Sequence, residues 1–241
     1  MIELARTRDV KELFRDTFAV FFRHAGVFIA LSAAVVVPVH LVVEGIGLEM
    51  LTGPYDDSLT LAESAVPTIV DFLVVSPLIT AICIYALRQI ADGSSGPSFV
   101  QTFVSGFEAF TPLFFAVVLA TLGIAVGFAL LVVPGIYLFV RWFFVPQTVV
   151  IDNARGWQAL VRSGEVVQGL WWRTFGLVVL INLAAALPAL LVAAPFASIA
   201  DNTGDAIWAL VGTILAGCVT APIAALYSTF LYYDLLARRM Q

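Results

Sequence analysis

The sequence predicts an all-α polytopic membrane bundle of six transmembrane helices, with three amphipathic helices lying in the interface on one side. Three observations predict it. The chain is 61% hydrophobic and 12% charged over 241 residues, with a mean hydropathy of +1.00, whereas soluble domains carry roughly 25% charged residues and about half apolar ones. The apolar residues gather into blocks of about 20, the length that crosses roughly 30 Å of hydrocarbon. The basic residues fall on alternate connections between those blocks. Such a chain would aggregate in water, so the bilayer is its solvent and residues 1–241 form a single integral membrane domain.

Residues 3–24 read as the first amphipathic helix, because Val10, Leu13, Phe14, Phe18, Phe21 and Phe22 recur at helical spacing opposite Asp9, Lys11, Glu12, Arg15, Asp16 and Arg23. It belongs in the interface. The chain then crosses at about 26–43, passes an acidic loop through Glu44, Glu49, Asp56, Asp57 and Glu63, and returns at about 66–88. The cluster from Asp92 to Pro97 is a turn, and Ser98 with Gln101 fits a capping box ahead of a second amphipathic stretch whose apolar face is Phe99, Val100, Phe103, Val104, Phe107 and Phe110. A third crossing at about 111–133 reaches a tight turn at Pro134-Gly135, and the fourth returns at about 136–151. The third amphipathic stretch, 155–169, sets Trp157, Leu160, Val161 and Val167 against Arg155, Gln158, Arg162 and Glu165. It leads into crossings at about 170–195 and 206–233, with the loop 196–205 between them.

The order amphipathic helix, crossing, return crossing is thus used three times. Pro77, Pro146 and Pro222 each fall within a return crossing, which reads as a threefold internal repeat, while the unequal segment lengths leave three unrelated hairpins as the other reading. Orientation follows from Lys and Arg. Of the twelve basic residues only Arg141 lies away from the N-terminal segment, the 88–110 and 152–173 connections and the C-terminal tail, whereas the connections 44–65 and 196–205 hold acids alone. The positive-inside rule therefore puts both termini and all three amphipathic helices on the cytoplasmic side of the cell inner membrane. Trp171, Trp172, Tyr232 and Tyr233 fall where this places the cytoplasmic interface, and Trp208 where it places the external one. The mixed-charge N-terminus does not read as a cleaved signal.

Pro134-Gly135-Ile136 through Val140-Arg141-Trp142, then Ala159-Leu160-Val161-Arg162-Ser163, Gly169, Trp172-Arg173 and the closing Leu231-Tyr232-Tyr233-Asp234-Leu235, carry a resemblance. Over most of its length the chain resembles the membrane domain that precedes the catalytic domain in some glycerophosphodiester phosphodiesterases, and the free-standing YciC-type bacterial membrane proteins. The resemblance implies a fold and a cell-membrane location. It transfers no active site, because that activity resides in a separate soluble barrel using carboxylates, histidines and a metal.

Few residues could carry chemistry. Arg141 is the one basic residue inside a crossing, where it costs at least about 2.5 kcal/mol at the helix centre unless paired or in reach of water. Asp71, expected about five residues below the outer surface as Arg141 is, could pair with it; otherwise Arg141 snorkels to phosphate or water and Asp71 caps its helix. His40 and Asn182 read as interhelical hydrogen-bonding residues or as members of a polar pathway. Gly123 and Gly127 have the small-xxx-small spacing that lets helices approach, within one chain or between two. Cys83 and Cys218 sit in apolar segments and read as packing residues.

The sequence shows no HExxH, Walker A loop, dinucleotide fingerprint, Gly-x-Ser-x-Gly elbow or dense basic surface. No catalytic, cofactor or metal residue is therefore assigned, no nucleic-acid partner is expected, and a membrane enzyme acting on lipid is the remotest reading. The expectation is a non-enzymatic protein that interacts with membrane lipids in an accessory or scaffold role, with a homo-oligomer or another membrane protein as partner. The alternative is a small-solute transporter or channel with Asp71 and Arg141 in the pathway.

Overall fold

The computed structural model describes residues 4–45, 61–93 and 96–240. The acidic loop residues Glu49, Asp56 and Asp57 lie outside them, as do the side chains of Glu44 and Glu63. The regular elements among the described residues are all helices. In chain order they are α1 (Val10–Arg23), α2 (Ala25–Gly45), α3 (Leu61–Val70), a π-helical segment (Asp71–Val75), α4 (Ser76–Ala91), α5 (Phe99–Glu108), α6 (Phe110–Leu130), α7 (Val132–Arg141), α8 (Val145–Ile151), α9 (Trp157–Val167), α10 (Trp171–Thr203) and α11 (Ile207–Arg239). Among the described residues six spans are long and apolar enough to cross a membrane: Ala25–Val43, Val66–Ala91, Phe110–Leu130, Val132–Ile151, Trp171–Thr203 and Ile207–Arg239. The chain is a multi-pass, all-α membrane protein.

Several boundaries differ from the sequence reading, each for a local reason. The first amphipathic helix begins at Val10 rather than at residue 3, since Asp9 is its extended N-cap and Glu12 Oε2 accepts the Asp9 backbone N–H at 3.0 Å, leaving residues 4–9 as a non-helical arm. Ser98 is an N-cap without a side-chain bond to its helix. Its own N–H donates to Gln89 Oε1 at 2.8 Å, and the expected capping box with Gln101 does not form. The hairpin turn falls at the extended Leu131, one turn before Pro134-Gly135. Those residues sit in the first turn of α7, where a missing proline N–H has no partner to lose.

The fourth crossing is two helices. Pro146 cannot donate to the Trp142 carbonyl, and its ring disfavours a helical residue before it. The chain turns at 142–144 and restarts as α8, whose last carbonyls at Val150 and Ile151 accept from the Arg88 guanidinium at 3.4 and 3.3 Å. In the second crossing Pro77 falls in the first turn of α4, directly after the wider π-helical turn. The expected loop 196–205 is mostly helix: α10 runs to Thr203 and stops at Gly204, whose φ of 70° supplies the left-handed cap.

The core is organised around the C-terminal half of α11. Leu226, Tyr227, Phe230, Leu231, Tyr232 and Leu235 are fully buried there, and α11 packs on α10, α2, α4 and α1. A second cluster joins Ala81 and Ile84 of α4, Leu113 to Ala120 of α6, Val145 to Val150 of α8, and Ala159 and Leu160 of α9. The far halves of α6 and α10 instead present leucines to the surroundings, Leu130 and Leu191 among them. Lipid solvates such surface, whereas water would not.

Candidate functional site

Three polar constellations and one lipid-like surface are built on this frame. The first joins the two ends of the chain. Arg8 is buried in the N-terminal arm, and its N–H donates to Asp234 Oδ1 at 2.6 Å. Its carbonyl accepts from Arg173 Nη2 at 2.9 Å and Arg238 Nη2 at 3.0 Å. Asp234, with no exposed surface, also takes Arg173 Nη2 at 3.2 Å and Arg238 Nε at 3.0 Å. The Arg8 guanidinium meets Asp16 at 3.1 Å and lies 4.9 Å from the Phe230 ring centroid. Burial lowers the Arg8 pKa, partly offset by Asp16. For Asp16, burial pushes upward, but hydrogen bonds from Arg6 and Arg8 outweigh it and hold the carboxyl below its usual value. The arrangement ties the arm, the start of α10 and the end of α11 into one clamp.

A second cluster closes the other side of α11. Asp152 Oδ2 accepts from Tyr232 Oη at 2.7 Å and from Arg162 Nε at 2.7 Å, joining the end of α8 to α9 and α11. The Asp152 carboxylate raises the Arg162 pKa above its ordinary value.

Of the two readings of Asp71 and Arg141, the pair does not form. Asp71 opens the π-helical segment and lies with Oδ1 3.2 Å from Nε2 of buried His40 on α2. Arg141 is exposed and donates to the Tyr137 hydroxyl at 3.0 Å, while its carbonyl accepts from Ser163 Oγ at 2.9 Å. A Cβ on Gly164 would lie 2.6 Å from Arg141 Nε. Tyr137 in turn stacks on Trp171 with centroids 6.0 Å apart. Arg141 therefore docks on α9 and beside the first turn of α10. The hairpin turns at Leu131, so Arg141 is the tenth residue of α7, whereas a crossing begun at 136 makes it the sixth.

Gly123 and Gly127 face the second arm of their own helical hairpin. A Cβ on Gly123 would meet the Trp142 ring at 2.4 Å, and one on Gly127 would meet Leu138 Cδ1 at 3.0 Å and Gly135 Cα at 3.1 Å. Cys83 and Cys218 are buried free thiols. Among the described residues no group of three His, Cys, Asp or Glu comes together as a metal-ligand set.

The third polar constellation lines a cavity of about 280 Å³ between α4, α6, α8, α10 and α11. Pro77 and Pro146 border it, and so does Ala221 beside Pro222, so all three return crossings meet there. Asn182 reaches it, with Nδ2 donating to the Val178 carbonyl at 2.7 Å. Neither Asp71 nor Arg141 is part of its wall. Gln147 is, although the sequence reading does not single it out. The signal that could have found it is a lone amide directly after Pro146 in an apolar run.

The lipid-like surface is α5. Its buried residues are Thr102 and Gly106, and a Cβ on Gly106 would lie 2.4 Å from Ile82 Cγ1. Small and polar groups thus face the protein. Outward stand Phe99 at 41%, Val100 at 69%, Val104 at 48% and Phe107 at 60% exposure. Phe99, Phe103, Phe107 and Phe110 stack in one ladder with centroid spacings of 6.1, 6.4 and 6.1 Å. On α1, Phe22 is likewise outward, as is Trp157 on α9. Set against family models, curated proteins and solved structures, the chain matches none.

Proposed function

We propose that this is a non-enzymatic protein of the cell inner membrane that works through contact with lipid, as an accessory or scaffold subunit, with both termini and α1, α5 and α9 on the cytoplasmic side. The outward face of α5 carries the reading. A helix that turns Thr102 and Gly106 inward, packs Phe103 on the core and leaves Phe99, Val100, Val104 and Phe107 outward is stabilised by its outer apolar side only if the medium beyond is apolar. Phe99 and Phe107 are 41% and 60% exposed, so removing that remaining surface from water contributes about half of the roughly 1.5–3 kcal/mol of a fully buried phenylalanine. The resemblance to YciC-type membrane proteins supports the same location.

Native mass spectrometry of the protein released from lipid nanodiscs tests it. Wild type retains bound lipid, and the double change Phe99→Ser with Phe107→Ser lowers the number retained. Equal lipid retention by the two proteins would sink the assignment of α5 as a lipid contact. The orientation is tested with single cysteines on a background in which Cys83 and Cys218 are replaced by alanine. Ser58→Cys reacts with an impermeant thiol reagent in intact cells and Ser95→Cys does not; the reverse labelling overturns it.

The cavity favours a second reading, a small-solute transporter or channel. Among the described residues its polar wall consists of Ser76, Thr80, Thr121, Gln147, Asn182 and Ser228, with the Trp142 indole beside them and no charged side chain. A pathway through it would suit uncharged solutes, and the roles expected of Asp71 and Arg141 would lie outside it.

A further inference from the structure

The cavity presents a specific pattern of hydrogen-bonding groups. Thr80 donates to the Ser76 carbonyl at 2.8 Å, Thr121 to Val117 at 2.8 Å and Ser228 to Ala225 at 3.0 Å. These hydroxyl hydrogens are taken up by their own helices, and Asn182 likewise directs an amide hydrogen to Val178 on its own helix. Gln147 is the exception. It is 2% exposed and its Nε2 donates to Ser228 Oγ at 3.0 Å. Because the Ser228 hydroxyl donates elsewhere, it can only accept here, and this fixes which end of the amide is which. Gln147 Oε1 is then left as a buried acceptor with no partner among the described residues. A buried acceptor left unmade is expensive, so it asks for a donor.

The remaining wall says what the donor is attached to. Phe72, Phe139, Phe143 and Ile181 supply apolar surface, with alanines from α6, α10 and α11 between them. With no charged residue among the described residues of the wall, an ionised head would enter without a counter-charge from them, at a cost that apolar packing cannot offset. At about 30 Å³ per water-sized group, the volume of about 280 Å³ holds on the order of ten non-hydrogen atoms. The inner wall at Thr80, Gln147 and Ser228 is buried, whereas Phe72, Ser76 and Asn182 are exposed, so the cavity is open on that side.

We propose that this cavity is a binding site for an uncharged single-chain amphiphile, with a hydroxyl donating to Gln147 Oε1 and an aliphatic chain of about ten carbons against the aromatic and alanine walls. The site is separate from α5 and stands or falls independently of the lipid-contact reading. It gives the meeting point of the three return crossings a ligand.

Trp142 is part of the wall and reports on occupancy. In nanodiscs, 10-bromo-1-decanol quenches tryptophan fluorescence saturably, and unbrominated 1-decanol competes for the same site while decane and ionised decanoate compete at least tenfold more weakly. Trp142→Phe removes the saturable component. Gln147→Leu, which keeps the volume and removes the orphaned acceptor, weakens the affinity for decanol about tenfold, the size of one hydrogen bond to a buried group. Ala224→Phe fills the space and abolishes saturation, with an unchanged melting profile as the check on folding. Quenching that rises linearly with bromodecanol in wild type, or that is saturable but unchanged in both Gln147→Leu and Ala224→Phe, overturns the proposal. In the first case the amphiphile only partitions into lipid and the Gln147 acceptor is met by water.

Discussion

Asp234→Ala is expected to destabilise the protein by about 3–5 kcal/mol, the cost of stripping one partner from a buried ion pair. Asp234 has no exposed surface and serves three donors at once: the Arg8 backbone N–H, Arg173 and Arg238. Without it, the buried Arg8 N–H loses its acceptor, and two guanidinium groups lose their shared counter-charge. Asp16 still holds the Arg8 side chain, so the arm loosens from α11 rather than from α1. The check is the thermal unfolding midpoint in nanodiscs together with trypsin cleavage after Arg8. Wild type is protected at Arg8, Asp234→Ala is cut and melts lower, and Asp234→Asn falls between because an amide oxygen still accepts the Arg8 N–H. A variant that melts with wild type and stays protected at Arg8 would show that the clamp does not hold the arm.

That clamp also marks where reading the sequence stops. Arg173 and Asp234 are ordinary charged residues near the ends of apolar stretches, Arg8 lies in the mixed-charge N-terminal segment, and Arg8 and Asp234 are separated by 226 positions. No periodicity or spacing links them; only the way α11 is enclosed brings them together. The six crossings, by contrast, are legible because each rests on a property of one continuous stretch, its length and hydropathy. Helices do stand at Val10–Arg23, Phe99–Glu108 and Trp157–Val167, but the direction each one faces is not legible in the sequence. The pattern around Phe99, Phe103 and Phe107 identifies an apolar side, yet an apolar side can meet either protein or lipid, and only the contact of Gly106 with Ile82 shows which side of α5 rests on the protein. The Asp71–Arg141 pair fails for a related reason. Counting both residues as level from the outer ends of their crossings overlooks that the hairpin turns at Leu131, which makes Arg141 the tenth residue of α7 rather than the sixth of its crossing, and that Asp71 finds His40 on α2 instead. Proline is visible in a sequence as an interruption, but the new direction of the chain after it is not.

Gly127→Leu is expected to cost about 3 kcal/mol, at the upper end of overpacking, because the space it would enter is occupied by the backbone of its own hairpin. A Cβ at Gly127 already meets Gly135 Cα at 3.1 Å and Gly135 N at 3.3 Å, and neither can swing aside as a side chain can. Gly127→Ala should cost roughly 1 kcal/mol, since a few tenths of an ångström of separation accommodate one methyl. The series also distinguishes the two uses of a small-xxx-small pair. A seam already filled by α7 predicts that Gly127→Leu lowers the thermal midpoint while native mass spectrometry gives the same stoichiometry for variant and wild type. A seam joining two copies predicts the opposite, an assembly that falls apart with the midpoint of each chain preserved. The close approach of Gly127 to Gly135 and of Gly123 to Trp142 within one hairpin requires the first outcome. It leaves any self-association of this chain to its exposed faces, such as the leucine-rich outer surface of α10.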